Sequence, residues 1–171
     1  MRKIILYAAQ SLDGFIASPD GSVDWLFTDQ DYGYAAFLER IDTTLIGRKT
    51  YEQILTFGPF PYAGKENTVF TSQPERPAHP DVHFTAEAPE NVAKRLLEKP
   101  GKDIWLVGGA QLNTALLEAG LVHELILAIH PILLGSGVPL LHQVQNQVHW
   151  ALKTVNTFST GMAIVCYEKL E

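Results

Sequence analysis

Apolar residues along the chain follow two spacings, one typical of buried strands and the other typical of helices that pack on a sheet. Short apolar runs predict strands at residues 3–9, 43–46, 67–71, 82–84, 103–107 and 124–130. Apolar residues three and four apart predict helices near residues 34–41, 48–54, 89–98 and 111–119. Alternation over 150–157 and 162–169 predicts an antiparallel hairpin joined through Ser159-Thr-Gly161. This order of elements predicts a single α/β domain over residues 1–171, with one mixed sheet that is mostly parallel and has an antiparallel edge.

The predicted strand at 43–46 ends in a segment whose residues suit a phosphate group. It runs into Gly47, where the missing Cβ permits a tight turn or the close approach of another group. Arg48 and Lys49 then place two cations at the first turn of a helix, where the helix dipole favours anions. Together with the Thr50 hydroxyl and free backbone N–H groups, they would bind an anionic ligand well. A solvated surface turn explains this segment equally well.

A second strand-to-helix junction favours the phosphate interpretation. The predicted strand at 103–107 is followed by Gly108, Gly109 and Ala110, and then by a helix that ends at Gly120. Paired glycines permit a pyrophosphate to approach the backbone closely at a helix start. One glycine pair is weak evidence, but two junctions of this kind on one sheet indicate a dinucleotide site.

Composition excludes several classes of protein. Of the 171 residues, 46% are hydrophobic and 19% are charged, as is typical of a globular chain. The net charge of -6 argues against a nucleic-acid-binding surface. No apolar run reaches membrane-spanning length and the start lacks a signal-peptide pattern, so we expect no membrane partner and a cytoplasmic protein. Cys166 is the only cysteine, and His79 and His83 lack a third ligand at a suitable spacing, so we expect neither a disulfide nor a metal site.

Aromatic residues are concentrated between the first strand and the second helix. The group comprises Trp25, Tyr32, Tyr34, Phe37 and Tyr51. Most residues of this kind form core, but a concave aromatic surface also suits a planar heterocyclic ligand. Neither the Rossmann glycine fingerprint nor a P-loop is present. Arg48 and Ser72, at two predicted strand ends, instead suit a 2′-phosphate and therefore favour NADPH over NADH.

Two carboxylates near the first strand and helix are of chemical interest. Asp13 belongs to a polar cluster, beginning at Gln10, that interrupts an otherwise apolar segment. The dipeptide Asp13-Gly14 is also a common turn sequence, which explains this carboxylate at least as well as catalysis does. Asp29 or Asp31 could cap the helix that contains Phe37.

Six motifs, in this order along the chain, resemble the dihydrofolate reductase fold superfamily. They are Ser11-Leu-Asp-Gly-Phe-Ile16, Asp24-Trp25, Ile46-Gly-Arg-Lys-Thr-Tyr-Glu52, Val69-Phe-Thr-Ser-Gln73, Val107-Gly-Gly-Ala110 and Pro131-Ile-Leu-Leu-Gly135. The chain is more closely similar to the small reductases related to the C-terminal reductase domain of the bifunctional riboflavin-biosynthesis deaminase-reductase. The resemblance covers nearly the whole chain. It implies a three-layer fold with helices on both faces of the sheet, and an enzyme that uses NADPH.

The resemblance also implies a set of cofactor-binding residues. The set is Ala9, Ile16, Gly47, Arg48, Lys49, Thr50, Thr71, Ser72, Val107, Gly108, Gly109, Ala110, Gln111 and Leu112. In this set, the two cations would hold the 2′-phosphate and the pyrophosphate, and the hydroxyls at 71 and 72 would border the adenosine phosphate. Backbone groups of Ala9 and Ile16 would meet the nicotinamide carboxamide. The peptide between the glycines at 108 and 109 would be cis.

The residues predicted to bind substrate are Gln10, from the polar cluster after the first strand, and Trp25, Phe37 and Tyr51, from the aromatic group. The folate-binding carboxylate of dihydrofolate reductase corresponds here to Gly33, and the strand hydroxyl that supports it corresponds to Ala128. Folate is therefore not the expected substrate. The remaining candidate catalytic carboxylates are Asp13 and Asp31, which lies two residues from Gly33.

The expected function is an NADPH-dependent reductase that transfers hydride to a small planar heterocyclic or carbonyl substrate, similar to a pterin or a riboflavin precursor. Two alternatives stay open, namely an NADP(H)-binding module without turnover and a structural oligomer. Because relatives pair through their apolar late strands, the resemblance also implies a homodimer that associates through residues 125–134.

Overall fold

A computed structural model of the protein describes residues 1–75 and 79–170, so residues 76–78 and 171 of the predicted domain lie outside the described ranges. The strands are β1 (Ile4–Gln10), β2 (Phe15–Ala17), β3 (Ile41–Gly47), β4 (Glu66–Phe70), β5 (Val82–Thr85), β6 (Asp103–Gly108), β7 (Glu124–Ile129), β8 (Val138–Pro139), β9 (Trp150–Thr157) and β10 (Ala163–Lys169). The helices are α1 (Tyr34–Arg40), α2 (Arg48–Thr56), α3 (Pro89–Glu98) and α4 (Ala110–Glu118). None of these described helices is long and apolar enough to cross a membrane.

Eight strands form one sheet in the order β5-β4-β3-β6-β1-β7-β10-β9. The strands from β5 to β7 in this order are paired in parallel. At the other end, β10 pairs antiparallel with β7, and β9 pairs antiparallel with β10. β2 and β8 form a separate antiparallel pair. The predicted mixed sheet, mostly parallel with an antiparallel C-terminal edge, is confirmed.

Alternate residues of β1 show how the sheet divides the core into two halves. Ile4 and Leu6 pack with residues of α3 and α4 on one face, whereas Ile5 packs with residues of α1 and α2 on the other. Successive side chains of a strand point to opposite faces, so this buried strand contributes to both halves. The predicted three-layer arrangement, with helices on both faces, is confirmed.

The strand predicted at 43–46 is longer in the structure and spans Ile41–Gly47, because the polar residue Asp42 has partners there. Its carboxylate accepts hydrogen bonds from the guanidinium of Arg2 and from the backbone N–H of Lys102, the latter at 2.7 Å. A polar side chain with such partners can stand at the start of an otherwise apolar strand. Local apolar spacing could not reveal this, since both partners are distant in the sequence.

The segment predicted to mediate dimerisation, residues 125–134, falls largely on an interior strand. β7 lies between β1 and β10, so its backbone is paired along both edges. Within this segment Leu133, in the loop after β7, is 70% exposed, and on β9 Leu152 and Val155 are 55% and 51% exposed. The homodimer stays a prediction. In such a dimer the partner could contact only the side chains of β7, because the backbone of this strand is already paired along both edges.

Candidate functional site

The two predicted phosphate junctions meet at the carboxyl ends of neighbouring parallel strands. β3 and β6 are paired, and Gly47 lies against Gly108 and Gly109. A Cβ at Gly47 would lie 3.2 Å from the Gly108 carbonyl oxygen and 3.3 Å from the Gly109 nitrogen. The Gly108–Gly109 peptide is cis, as the resemblance implied. The missing side chain at Gly47 therefore permits the close approach that the sequence indicated.

Two helices begin at this meeting point without side-chain caps. Gly47 precedes α2 and Gly109 precedes α4, and neither position provides a side-chain hydrogen bond to the free N–H groups of the first turn. The Thr50 hydroxyl oxygen lies 3.1 Å from the position that a Cβ on Gly109 would take. Uncapped helix starts with a nearby hydroxyl are suited to an anionic group such as a diphosphate.

The other cofactor residues predicted at this junction differ in exposure. Ala110 and Leu112 are buried, Val107 is half-buried, and Gln111 is exposed. A ligand at the start of α4 could therefore meet the side chain of Gln111, whereas the buried residues could offer it only their backbone groups.

Arg48, one of the two predicted phosphate-binding cations, has an ion-pair partner. Its Nη1 donates a hydrogen bond to Glu52 Oε2 at 2.8 Å, one turn further along α2. Both side chains are well exposed, and ion pairs of this kind contribute little to stability. A ligand phosphate could therefore compete for the guanidinium at small cost. Lys49 is exposed.

A cleft of about 290 Å³ lies at the carboxyl ends of β4 and β5. It is lined by Phe70, Thr71, Ser72, Thr85, Ala86, Glu87 and Pro89. Gly47 pairs with Phe70 across β3 and β4, so Arg48 and Thr71 leave the sheet side by side. The cleft contains both hydroxyl residues predicted to border the adenosine phosphate, and it adjoins the Gly47 junction.

Glu87 is a residue of this cleft that sequence reasoning missed. Its carboxylate accepts two hydrogen bonds from Arg95, at 2.9 and 3.1 Å, which hold the pKa of Glu87 below its ordinary value. An anion that entered the cleft would thus meet a carboxylate whose charge is already balanced. Glu87 lies in the loop before α3 and Arg95 lies within the helix, so their contact depends on how the loop packs against the helix. No short sequence motif indicates such a contact.

An aromatic surface forms where α1 packs on the sheet, with Tyr7 and Tyr34 half-buried over the buried rings of Phe37 and Trp105. Phe37 stands edge-on to Tyr7 of β1 at 4.6 Å between ring centroids, and to Trp105 of β6 at 5.3 Å. Tyr34 also approaches Trp105 edge-on, at 5.9 Å. Sequence reasoning missed Tyr7 and Trp105, because each stands within an apolar run whose simplest interpretation is a buried strand.

Tyr51 lies in the same core cluster as Phe37 but makes its ring contacts with other residues. Tyr51 is buried, stands edge-on to Phe84 of β5 at 5.3 Å, and lies 5.8 Å from Phe60 between ring centroids. These contacts place it in the core between α2 and the β5 edge of the sheet. Tyr51 and Phe37, both predicted to bind substrate, are thus buried in one core cluster, in which Phe60 and Tyr62 lie between Tyr51 and Trp105.

Trp25 carries an unsatisfied buried polar atom. Its Nε1 is buried and has no hydrogen-bond partner among the described residues. Its ring meets His130 edge-on at 5.3 Å. His130 Nε2 accepts a hydrogen bond from the Phe27 N–H at 3.2 Å, and burial lowers the pKa of His130, so the imidazole is neutral at pH 7. Trp25 can therefore donate a hydrogen bond to a group that enters from outside.

The residues predicted to meet the nicotinamide lie near the end of β1 and in β2. Ala9 packs in the same cluster as Tyr7 and Phe27, on the aromatic side of the sheet. Gln10 follows Ala9 in the strand and therefore points to the opposite face. Ile16 packs against the core cluster that contains α4. The structure thus brings Ala9, but not Gln10, to the aromatic surface.

The Asp13 carboxylate anchors a loop. It accepts hydrogen bonds from the Ser11 hydroxyl at 2.6 Å and from the backbone N–H groups of Leu134 and Gly135 at 3.1 and 2.7 Å. These donors, Ser11 foremost, lower the pKa of Asp13. A carboxylate with a lowered pKa holds no proton at neutral pH, so this geometry favours the turn interpretation over proton donation.

We expect Asp13→Asn to loosen this loop, because asparagine keeps one acceptor oxygen but loses the charge that strengthens the bonds. By hydrogen exchange, the amides of Leu134 and Gly135 should exchange faster in the variant. In the unmodified protein their protection should persist at neutral pH and disappear as the pH falls through the lowered pKa of Asp13. Asp20→Asn, in an exposed turn, is the matched control. Unchanged exchange together with lost turnover would assign Asp13 to proton transfer instead.

Asp31 caps α1, which confirms one of the two capping residues predicted. Its carboxylate oxygens accept hydrogen bonds from the N–H groups of Gly33 and Ala35, both at 3.0 Å. Gly33 has a φ of 85°, a region in which residues with a Cβ are strained. The position that corresponds to the folate-binding carboxylate is thus one where this backbone favours glycine.

Within residues 1–75 and 79–170, no three side chains among His, Cys, Asp and Glu are placed to hold a metal ion. His79 Nδ1 accepts a hydrogen bond from the Asp81 N–H at 3.2 Å, and its ring packs on Phe60 at 5.3 Å. These contacts give His79 a structural role in the loop before β5.

Comparison with known proteins places this geometry in a family. A family model described as the RibD C-terminal domain matches residues 2–164. The chain is 38% identical over 167 residues to the uncharacterized protein YwjB of Bacillus subtilis (strain 168), covering 95% of this chain and 96% of that protein. A solved structure from Shewanella sp. PV-4, described as a candidate riboflavin biosynthesis protein, aligns with a TM-score of 0.87 at 25% identity over 99% of both chains.

A second solved structure shows how widely the fold is shared. Dihydrofolate reductase from Enterococcus faecalis, complexed with NADP(H) and RAB-propyl, aligns with a TM-score of 0.74 at 19% identity, over 99% of this chain and 97% of that one. This likeness is one of fold. The family match includes both glycine junctions and the segment that carries the aromatic surface. The chain belongs to the RibD C-terminal domain family.

Proposed function

We propose that the protein is an NADPH-dependent reductase that transfers hydride to a small planar heterocyclic or carbonyl substrate. One observation carries the proposal: two uncapped helix starts meet at Gly47 and the Gly108–Gly109 peptide, next to an aromatic surface. Val107, which precedes that peptide, packs in the same cluster as Phe37. An anion site beside an aromatic surface suits a ligand that joins phosphates to a ring. Membership of a reductase-related family supports this conclusion.

The residues at the junction fit such a cofactor. Gly47 lets the Gly108–Gly109 peptide pack closely against it, and Gly109 does the same for the Thr50 hydroxyl. The two uncapped helix starts therefore lie together, and a phosphate could meet the backbone N–H groups of both. Arg48, with the hydroxyls of Thr71 and Ser72 in the adjoining cleft, would bind the adenosine 2′-phosphate. When bound, NADPH would supply the hydride, and the protein would hold it against the substrate.

The aromatic surface and two polar atoms define the expected substrate. Tyr7 and Tyr34 are half-buried and offer ring edges against which a planar ring can pack, and the buried rings of Phe37 and Trp105 support them. The buried Nε1 of Trp25 can donate a hydrogen bond. Burial raises the pKa of Tyr7, so its hydroxyl stays protonated at neutral pH and can also donate. We therefore infer a substrate with carbonyl oxygens or ring nitrogens along one edge, as in pterins and flavin precursors.

An NADP(H)-binding module without turnover is the second candidate function. A specific observation favours it, since Asp13 anchors a loop and Asp31 caps α1, so that both predicted catalytic carboxylates have structural roles. Such a module would bind NADPH and leave planar substrates unchanged.

Titration of the purified protein with NADPH and with NADH tests the cofactor. We expect NADPH to bind more tightly by about ten- to 150-fold, because a charge-assisted contact to the 2′-phosphate is worth about 1.5–3 kcal/mol. Oxidation of NADPH, followed by its absorbance in the presence of pterins and flavin precursors, then tests turnover. Binding of neither nucleotide would contradict the cofactor proposal. Tight NADPH binding without turnover of any planar compound would favour the binding module.

A further inference from the structure

Asn113, a residue of α4 that sequence reasoning did not single out, has an unsatisfied polar atom in the core. The residue is 1% exposed. Its Nδ2 donates a hydrogen bond to the Leu140 carbonyl oxygen at 3.0 Å, whereas its Oδ1 has no donor among the described residues. A flipped amide would bring Oδ1 against the Leu140 oxygen, which can only accept, so the orientation of the amide is determined.

An unpartnered buried acceptor is costly. A group of this kind destabilises a fold, and an apolar residue of the same shape would avoid that cost. Asn113 nevertheless stands on a helix whose buried face is otherwise mostly apolar, between Leu112 and Leu116. The presence of an asparagine at this position, despite its unpartnered oxygen, indicates that Oδ1 acquires a hydrogen-bond donor when the protein binds its ligand.

The unpartnered oxygen lies against the cofactor junction. A Cβ on Gly108 would be 3.0 Å from Asn113 Oδ1, and Gly108 has a φ of 107° that favours glycine. Oδ1 therefore borders the residue whose peptide with Gly109 forms the centre of the proposed dinucleotide site.

Its surroundings identify which half of a dinucleotide it faces. Leu140, the partner of Nδ2, donates its own N–H to the Gly14 carbonyl oxygen at 3.0 Å, next to β2 and Ile16. The cleft with Thr71 lies on the other side of the junction, beyond β3. Asn113 is thus on the side that would hold the nicotinamide half of the cofactor, away from the adenosine half.

We propose that Asn113 Oδ1 is a cofactor-binding atom that accepts a hydrogen bond from an O–H or N–H donor in the nicotinamide-ribosyl half of NADPH. The proposal rests on the proposed function. That half of the molecule carries ribose hydroxyls and a carboxamide NH₂, and both are donors of the required kind. The bond satisfies the acceptor and couples cofactor binding to the Leu140 segment, which the same amide holds.

The test compares ligands that contain and lack the nicotinamide half. Asn113→Leu removes the acceptor and keeps a side chain of similar size. It should weaken NADPH binding by about five- to thirtyfold and leave adenosine 2′,5′-bisphosphate unchanged, because the latter has no group at this position. Asn113→Ala is the second variant, to be used if the leucine variant does not fold. The 3-acetylpyridine analogue of NADPH separates the two donors: the loss persists if a ribose hydroxyl donates and disappears if the carboxamide does.

Thr114→Val is the matched control. Thr114 is the next residue of α4, is also buried, and its hydroxyl accepts a hydrogen bond from the His142 N–H at 2.9 Å. Its hydroxyl already has a donor and ties the same helix to the same late segment, so this variant should keep full NADPH affinity. Equal losses for NADPH and the bisphosphate in the Asn113 variants, or no loss at all, would overturn the proposal. Failure of the unmodified protein to bind NADPH would instead overturn the proposed function itself.

Discussion

Replacing Arg48 with alanine should weaken NADPH binding by about 1–3 kcal/mol, roughly five- to 150-fold, and should change NADH binding far less. Arg48 is the first residue of α2, and it leaves the sheet beside Thr71, at the edge of the cleft that suits the adenosine phosphate. Only NADPH carries the 2′-phosphate. A guanidinium that binds this group therefore distinguishes the two nucleotides.

The ion pair with Glu52 explains why the effect should be large. The Arg48 and Glu52 side chains are 38% and 41% exposed, and an exposed pair of this kind contributes about 1 kcal/mol or less. The guanidinium can therefore exchange a weak partner for a doubly charged phosphate. Because the contact is exposed, the preference for NADPH should shrink as the salt concentration rises, which calorimetric titration at two ionic strengths would measure.

Lys153→Ala is the matched control for the loss of one cation. Lys153 is exposed and paired with Glu168, on the strand at the opposite edge of the sheet from the cleft. Its removal should leave the affinities for both nucleotides unchanged. Equal losses of NADPH and NADH affinity in Arg48→Ala would place the guanidinium on the diphosphate, which both nucleotides share, and would contradict the 2′-phosphate assignment.

The junctions could be predicted because their signals are local in the sequence. Each combines an apolar strand with a glycine and a helix start, and parallel strands bring their carboxyl ends to the same edge of a sheet. The bounds of α3 were predicted for a similar reason, since Pro89 favours the first turn of a helix. Local signals suffice where a short segment and its neighbours in sequence determine the conformation.

The aromatic surface was predicted only in part: the sequence indicated Tyr34 and Phe37, but not the strand residues they contact, because those contacts join distant segments. Tyr7 and Trp105 come together through the pairing of β1 with β6, and the indole N–H of Trp105 donates to the Tyr7 carbonyl oxygen at 3.1 Å. Tyr51 has helical spacing like that of Phe37 and lies in the same core cluster, but its ring packs against Phe84 of β5. Spacing identifies a buried helix face without identifying what covers it.

Arg2 is a buried residue whose contacts also lie in distant parts of the sequence. Its replacement should lower the stability of the protein more than the other substitutions proposed. We expect Arg2→Met to lower the free energy of unfolding by about 2–4 kcal/mol. The Arg2 side chain is 4% exposed. Its guanidinium donates to the carbonyl oxygens of Leu96 and Lys102, to the Asp42 carboxylate, and to the Thr43 hydroxyl at 2.6 Å.

Two effects determine the size of this loss. The carbonyl oxygens of Leu96 and Lys102 lose their donors, which is costly where water cannot replace them. The Asp42 side chain is 40% exposed, so water can solvate the carboxylate once its partner is gone. Because water can solvate Asp42, the expected loss is smaller than the value of about 3–5 kcal/mol that is typical when one partner of a fully buried ion pair is removed. Methionine retains most of the packing of the arginine stem.

Urea denaturation of Arg2→Met and of Arg95→Met would check this expectation. Arg95 forms an exposed pair with Glu87, so its replacement should change stability little and serves as the matched control. An equal loss of unfolding free energy in the two variants would show that the burial of Arg2 does not increase its contribution to stability. Arg2 lies at the start of β1, whereas the glycine junctions lie at the opposite, carboxyl ends of β3 and β6. Folded Arg2→Met should therefore bind NADPH as the unmodified protein does, so that loss of stability and loss of binding can be told apart.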